Sequence, residues 1–471
     1  MTRRRTATPW WPTLTERAAS VRHCRGRRKS AAGFSLVEVL IGTLLSMVTF
    51  LIMFQMFDSW DKNRRSTSAG GGAAVTGALA LFRLERDLRL AGFGFGNAVE
   101  LGCTVNAYDA TRANEAASSS GAVSATSTHA FSFPLVPFQI YGGTAAAGSP
   151  QQIATLYGSS EASQATRFAA TAAAGAQPYT DATTTSTQMD VGALGNIQQG
   201  DLVIMAQETT PYLCDLMEVT NNGLAGGRIF EHKDSTQGDY CHFYTDTHTP
   251  PCALPNTNLS TNTTPRFNNP GFAGPTPTGR IYVLGPRPQR RVWQIRNGRT
   301  LAFANDLPTY TVSSAGVVTA EAVNEFTDVA DNIINLQAQY VFSSTAPAAC
   351  TASATWRTDT PSAACQGSVW AVRIALLARS DQFEKTWGVP VDATGFAVAP
   401  RWSGGSFGMS NLNTVLNADG SVSSSDCTPA RDCFTTTTLA TQSKDPKDWR
   451  HYRYRVLESI VPLKNVMWGS R

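Results

Sequence analysis

Charge is scarce in this chain. Only 16% of its 471 residues are charged, where soluble domains carry roughly 25%. Serine, threonine, alanine and glycine fill the gap, a composition that suits an exported, sheet-rich protein better than a cytosolic enzyme. No phosphate-binding loop, dinucleotide fingerprint or pair of catalytic carboxylates stands in the sequence, and no internal repeat organises it. A further absence is local: between Phe34 and Phe57 there is no basic side chain.

What charge there is lies unevenly. The net charge is +4, yet residues 1–33 hold nine basic residues against the single acid Glu16, giving +8 and leaving 4 − 8 = −4 for the remainder. A basic N-terminus ahead of an apolar run holds that end in the cytoplasm, and it is no sign of nucleic-acid binding by the body. Cysteine divides the same way. Of nine cysteines only Cys24 precedes the apolar run, and the remaining eight are an even number, as pairing in an oxidising compartment requires. Short loops favour Cys427 with Cys433, Cys350 with Cys365 and Cys241 with Cys252, which leaves Cys103 for Cys214. The length leaves room for two or three average domains.

The apolar run, FSLVEVLIGTLLSMVTFLIMFQMF, is long enough to cross a bilayer of about 30 Å. A secretory signal has a shorter core and a small-residue cleavage site just beyond it. Here the small residues, 68–74, lie past the charged DKNRR, so the run is expected to stay in the mature chain, as in an ordinary signal anchor. Its one ionisable group, Glu38, costs about 2.5–3.5 kcal/mol at bilayer depth and calls for a partner or a function. A cut between Gly33 and Phe34 would create an α-amino group about one helical turn from Glu38. In a packed array each Glu38 would then meet the amine of a neighbour and set the register.

Basic RGRRKSAAG followed by FSLVEVLIG resembles the class III signal of type IV pilins and type II secretion pseudopilins. The resemblance implies cleavage by a prepilin peptidase after Gly33, N-methylation of Phe34, and Glu38 as the fifth mature residue acting in assembly. The 33-residue leader is longer than those common in pilins. ALFRLERDLRLAGFGFGNAVELGC, DNIINLQAQYVF, VWAVRIALLARS and HYRYRVLESIVPLKNVMW are similar to PilW-type minor pilins in pattern and order, whereas residues 104–280 show little that is similar.

The implied fold is α+β: a long N-terminal, partly transmembrane helix packed on an antiparallel, sheet-rich, pilin-like globular domain with a large loop-rich insertion. Residues 1–33 form the leader, 34–57 the membrane and assembly helix, 58–92 its amphipathic continuation, and 93–471 an exported β-rich domain. In TGALALFRLERDLRLAG, Leu81, Leu84, Leu88 and Ala91 recur at helical spacing, Arg83 with Asp87 and Glu85 with Arg89 form i,i+4 pairs, and Gly92 supplies a stop. Gly70, Gly71 and Gly72 favour a break in the helix. Beyond Phe93 come strand-like runs, with Asn297-Gly298 as a type I′ hairpin turn. Residues 104–200 hold seven charged residues and read as the insertion.

Four further groupings invite chemistry. Gly404, Ser406 and Gly408 match G-x-S-x-G, but glycine, serine and asparagine surround them, and a nucleophile elbow needs a strand before and a helix after. Cys241, His242, His248 and Cys252 are a zinc ligand set at non-standard spacing, for which a disulfide is the plainer reading in an oxidising compartment. Asn417–Ser421 is a calcium loop only loosely, its glycine standing too early, and reads as a turn. Arg280, Arg287, Arg290, Arg291, Arg296 and Arg299, with Tyr282 and Trp293, suit nucleic-acid contact, although strand alternation divides them between two faces.

The expectation is therefore a non-enzymatic minor pilin without cofactor or metal. It would lie in the bacterial inner membrane with a cytoplasmic N-terminus, then in the periplasm and the extracellular pilus. The implied partners are other major and minor pilins, the prepilin peptidase/methyltransferase, the inner-membrane assembly platform and the membrane before assembly. A surface or DNA ligand would add to these. The alternatives are a type II secretion pseudopilin and a pilin-anchored adhesin or DNA receptor. An exported hydrolase would require Ser406 to organise with a histidine.

Overall fold

The computed structural model describes residues 35–95, 100–109, 130–141, 149–159, 166–167, 188–190, 197–207, 213–224, 229–232, 266–268, 279–307, 310–312, 318–320, 325–342, 350, 356–358, 361–382, 384, 388–391, 393, 397–409, 415–416, 422–423 and 449–467. The layout is α+β, with one long N-terminal helix, Leu36–Leu90, and several mainly antiparallel sheets. Two compact units divide the chain, residues 1–64 and 65–471.

In the first unit the helix is apolar all round. Its span Leu36–Asp61 has a mean hydropathy of 2.3 and none of it is buried within the protein. A helix uniformly apolar on every side is one built for a membrane or a deep core.

In the second unit the helix turns amphipathic. Ala73, Ala80, Leu84 and Leu88 are buried at spacings of seven, four and four, while Val75, Leu79 and Phe82 stay exposed. The triple glycine does not break it: the ladder runs through Gly70, Gly71 and Gly72, against the expected interruption. Helical runs of alanine and leucine on the C-terminal side offset a propensity cost of about 1 kcal/mol per glycine, and the buried face from Ala73 onward anchors the ladder by packing. Gly77 has a different role. A Cβ there would fall 2.4 Å from Leu457 Cδ1 and 3.1 Å from the Ala378 Cβ, whereas at Gly71 it would meet nothing within 4 Å. Gly71→Ala should therefore raise stability by about 0.5–1 kcal/mol, and Gly77→Ala should lower it by about 1–3 kcal/mol through overpacking, less its own propensity gain. Denaturant midpoints of the two variants check this, and equal effects would contradict the packing account.

The buried stripe meets a core shared by two sheets. One has five strands in the order Phe326–Asp331, Thr300–Asn305, Gln289–Arg296, Gln152–Tyr157 and Phe138–Tyr141. The other has three, Ile333–Phe342, Val369–Arg379 and Tyr454–Pro462. Asn332, with φ of 59°, joins the first strand of one to the first strand of the other, a left-handed conformation that asparagine tolerates better than most side chains. In Val369–Arg379, Val372, Ile374, Leu376 and Ala378 enter this core with Leu84 and Leu88 of the helix. The Asn297-Gly298 turn is as expected, with φ of 49° and 65° and Arg299 N–H donating to Arg296 O at 3.1 Å.

A six-stranded sheet lies in the order Ala130–Pro134, Thr104–Tyr108, Leu213–Glu218, Leu202–Gln207, Gly279–Gly285 and Thr166–Arg167. It is buried on both faces: Leu202, Ile204 and Ala206 enter one core, Val203 and Met205 another. That explains why LVIMA reads as a continuous apolar run rather than an alternation. Thr104–Tyr108 pairs parallel with Leu213–Glu218, a departure from the all-antiparallel expectation that the hundred residues between them make topologically accessible. Of the described strands of 104–200, Thr104–Tyr108, Ala130–Pro134 and Thr166–Arg167 lie in the six-stranded sheet, Phe138–Tyr141 and Gln152–Tyr157 in the five-stranded one, and Gln188–Asp190 in a separate three-stranded sheet with Ile229–Glu231 and Asn221–Leu224, so apolar residues of this low-charge stretch supply core to both large sheets.

Candidate functional site

Glu38 stands in the first turn of the long helix. Ser35 O accepts from Glu38 N–H at 2.9 Å and from Val39 N–H at 3.1 Å. Those are ordinary backbone bonds of a first turn; in sequence Ser35 and Glu38 also hold the Ser-x-x-Glu spacing of a helix N-terminal capping box, and a carboxylate in the first turn is favoured by the positive end of the helix dipole. The sequence carried that signal in plain view as SLVE. Gly33 and Phe34 lie outside the described residues. Further along, the hydroxyls of Thr43 and Thr49 donate to Leu40 O at 2.9 Å and Leu45 O at 2.8 Å, so neither demands a water partner inside lipid. At the far end Trp60 stacks under Arg64, 5.6 Å from ring centroid to guanidinium carbon, the residue types of a membrane interface.

A buried carboxylate fixes the amphipathic part of the helix. Asp87 is 1% exposed and accepts from Arg291 Nη1 at 2.9 and 3.1 Å, from Trp293 Nε1 at 3.1 Å and from the Tyr157 hydroxyl at 3.3 Å. All three donors stand on the five-stranded sheet, so one side chain ties helix to sheet. Burial raises the carboxyl above its ordinary range, more than Arg291 and the other donors lower it, and it pushes the Tyr157 phenol up as well. The expected i,i+4 pair of Arg83 with Asp87 is thereby replaced: Asp87 shares the buried face with Leu84 and Ala91, three and four residues away, and turns inward. The Glu85–Arg89 pair does form, at 2.7 Å.

The helix end is closed from the far terminus. Gly92, with φ of 80°, ends it, and Asn465 Nδ2 donates to the carbonyls of Leu90 at 3.2 Å and Ala91 at 3.0 Å. These are carbonyls that a helix leaves without internal partners. Leu463 and Val466 on either side are buried in the helix core, which gives the LKN tail its structural reason.

Two disulfides join described cysteines, Cys103–Cys214 and Cys350–Cys365. The first closes the parallel pair of strands, where Val105 is in register with Cys214. Cys241, Cys252, Cys427 and Cys433, with His242, His248 and Asn417–Ser421, lie outside the described residues. A second buried ion pair went unforeseen: Arg266 Nε meets Asp109 at 2.8 Å with both side chains fully buried, and Glu218 accepts from Arg266 N–H at 2.9 Å. Asp109 and Arg266 are 157 residues apart, with no local pattern to link them.

Four of the six arginines lie against carboxylates, whereas Arg287 and Arg299 are exposed. Arg290 pairs with Asp306, Arg291 with Asp87 and Arg296 with Asp328, and Arg280 lies 3.8 Å from Glu100. Tyr282 is fully buried and donates to Glu100 at 2.5 Å, so neither it nor Trp293 offers a ring to a base. Ser406 sits in a small hairpin, Arg401–Trp402 with Gly405–Ser406, and no helix follows it among the described residues. Among those residues no cluster of three or more His, Cys, Asp or Glu is placed to hold a metal ion.

No family model, curated protein or solved structure is significantly similar to the chain. The fold and the site define an α+β protein with one helix long and apolar enough to cross a membrane and a disulfide-bonded body.

Proposed function

We propose that the chain is a minor pilin, a structural subunit cut after Gly33, methylated at Phe34 and built into the tip or initiation complex of a type IV pilus. The observation that carries the reading is the signal GFSLVE at the head of a membrane-length helix whose only ionisable group between Phe34 and Phe57 is Glu38. An apolar helix can partition into lipid before assembly and pack among other helices afterwards, and a single carboxylate near its start gives that packing a register. Within residues 65–471, Asp87 ties the amphipathic continuation of the helix to the five-stranded sheet. Other pilins, the prepilin peptidase/methyltransferase and the assembly platform are the partners on this reading, in the inner membrane first and outside the cell later.

Mechanical shearing of cells tests it. The chain should be released with the filament fraction, in a small molar ratio to the bulk subunit. Recovery in the inner membrane alone, in cells that display filaments, would contradict the pilus assignment and favour a secretion pseudopilin.

A further inference from the structure

The three-stranded sheet has two edges, and they are finished differently. Along Ile333–Phe342 the outward backbone groups find partners: Leu336 O accepts from Gln151 N–H at 2.9 Å, Ala338 N–H donates to Gln151 Oε1 at 2.6 Å, and Tyr340 exchanges backbone bonds of 2.7 and 2.9 Å with Arg357. In the five-stranded sheet, Ile140 N–H of one edge strand donates to the Tyr340 hydroxyl at 2.6 Å. The other edge strand, Phe326–Asp331, pairs through a register shift and carries Asp328 and Asp331. Such devices keep an edge from recruiting another strand.

The far edge, Tyr454–Pro462, lacks such cover. It pairs with Val369–Arg379 along its whole length without a shift. Bonds just beyond its two ends fix which groups turn inward: Leu463 N–H donates to Trp370 O and Ser380 N–H to Arg453 O, each at 2.8 Å. Residues exchange bonds with an antiparallel neighbour at every second position. Arg455, Leu457, Ser459 and Val461 therefore point their backbone groups at Val369–Arg379, and Val456, Glu458 and Ile460 point theirs away. No backbone partner meets those three among the described residues. The strand is also accessible, with Arg455, Glu458 and Ile460 exposed, Ile460 by 59%.

We infer that Tyr454–Pro462 is a docking edge for an extended, antiparallel segment of another protein, one that alternates apolar residues and brings a carboxylate to Arg455. The outward groups of Val456, Glu458 and Ile460 supply the backbone bonds of such strand addition, and the side chains beside them supply its selectivity. On one face the incoming strand covers Ile460. On the other it covers Leu457, which is half-buried against the helix at Gly77. Both oxygens of Glu458 accept from Ser403 N–H, at 3.0 and 3.1 Å, so this acid is turned back onto the protein's own hairpin. Arg455 is exposed and meets no carboxylate among the described residues, and an acid opposite it is the charge the edge calls for. A second copy brings none: antiparallel self-pairing sets like faces side by side, and the face of Arg455 otherwise carries Leu457, Ser459 and Val461. The inference reaches beyond the pilus reading and does not depend on it, since purified protein tests it without filaments.

The probe is a short labelled peptide of alternating threonine and valine with one glutamate near its C-terminal end, N-methylated along one edge so that it cannot stack on itself. Fluorescence anisotropy with the full chain in detergent reads its binding. A peptide with lysine in place of the glutamate should bind about fivefold more weakly, and one N-methylated at every residue should not bind. Arg455→Glu should reverse the order of the glutamate and lysine peptides. Ile460→Pro removes an outward N–H and no inward one, so it should keep the parent's denaturant midpoint and weaken the glutamate peptide roughly fivefold or more. Arg455→Glu, at an exposed position, keeps the test decisive if Ile460→Pro folds poorly. No binding of the glutamate peptide, equal binding of all three peptides, or an order that Arg455→Glu leaves unchanged would overturn the inference. So would a dimer of the parent that Ile460→Pro dissolves, which would give the edge to a second copy.

Discussion

Replacing Asp87 with alanine should destabilise the 65–471 unit by about 3–5 kcal/mol, the usual cost of removing one partner from a buried ion pair. The variant strands Arg291 in a half-buried position and leaves the Trp293 N–H, 1% exposed, without its acceptor. It also removes the only described side chain that accepts from Arg291, Trp293 and Tyr157 together. Asp87→Asn keeps an acceptor for Trp293 but loses the charge, so its effect should be smaller, about 1–3 kcal/mol. Burial already opposes ionisation of Asp87, which is why the amide is the milder change. Denaturant midpoints of the three proteins in one detergent check the order, and an alanine variant within 1 kcal/mol of the parent would contradict the clasp.

Glu38→Ala should leave membrane insertion intact, and even ease it by about 2.5–3.5 kcal/mol on insertion scales, yet strip the chain from sheared filaments. The position of Glu38, three residues after Ser35, supplies a rival explanation in helix capping, and glutamine separates the two. Glutamine serves in a capping box as glutamate does, but it carries no charge for the amine of Phe34 in a neighbouring subunit. Glu38→Gln should therefore insert normally and still be lost from filaments. Incorporation of Glu38→Gln at the parent level would make the carboxylate a cap and remove the register argument.

Much of the fold was legible because it is locally encoded. The apolar helix, the Gly92 stop, the Asn297-Gly298 turn and the long strands follow from periodicity and turn chemistry within a few residues. Both observed disulfides were inferred from loop length and elimination. What was not legible depends on distant partners. Asp87 was paired with Arg83, four residues away, yet its neighbours Leu84 and Ala91 already marked the inward face. Asn465 as a cap for Leu90 and Ala91, Arg266 with Asp109, and the parallel strand pair join residues separated by a hundred positions or more, and nothing near them in the chain announces the match. The glycine triplet misled in the opposite direction. Its propensity argued for a break, and the ladder held because the following alanines and leucines bury a face.

The central claim is that Glu38 answers an amine that exists only after cleavage, and mass spectrometry of the chain's N-terminus in sheared filaments tests it most directly. The account predicts a chain beginning at N-methylated Phe34, with residues 1–33 absent. A chain from that fraction that retains Gly33, or that begins elsewhere, would contradict it.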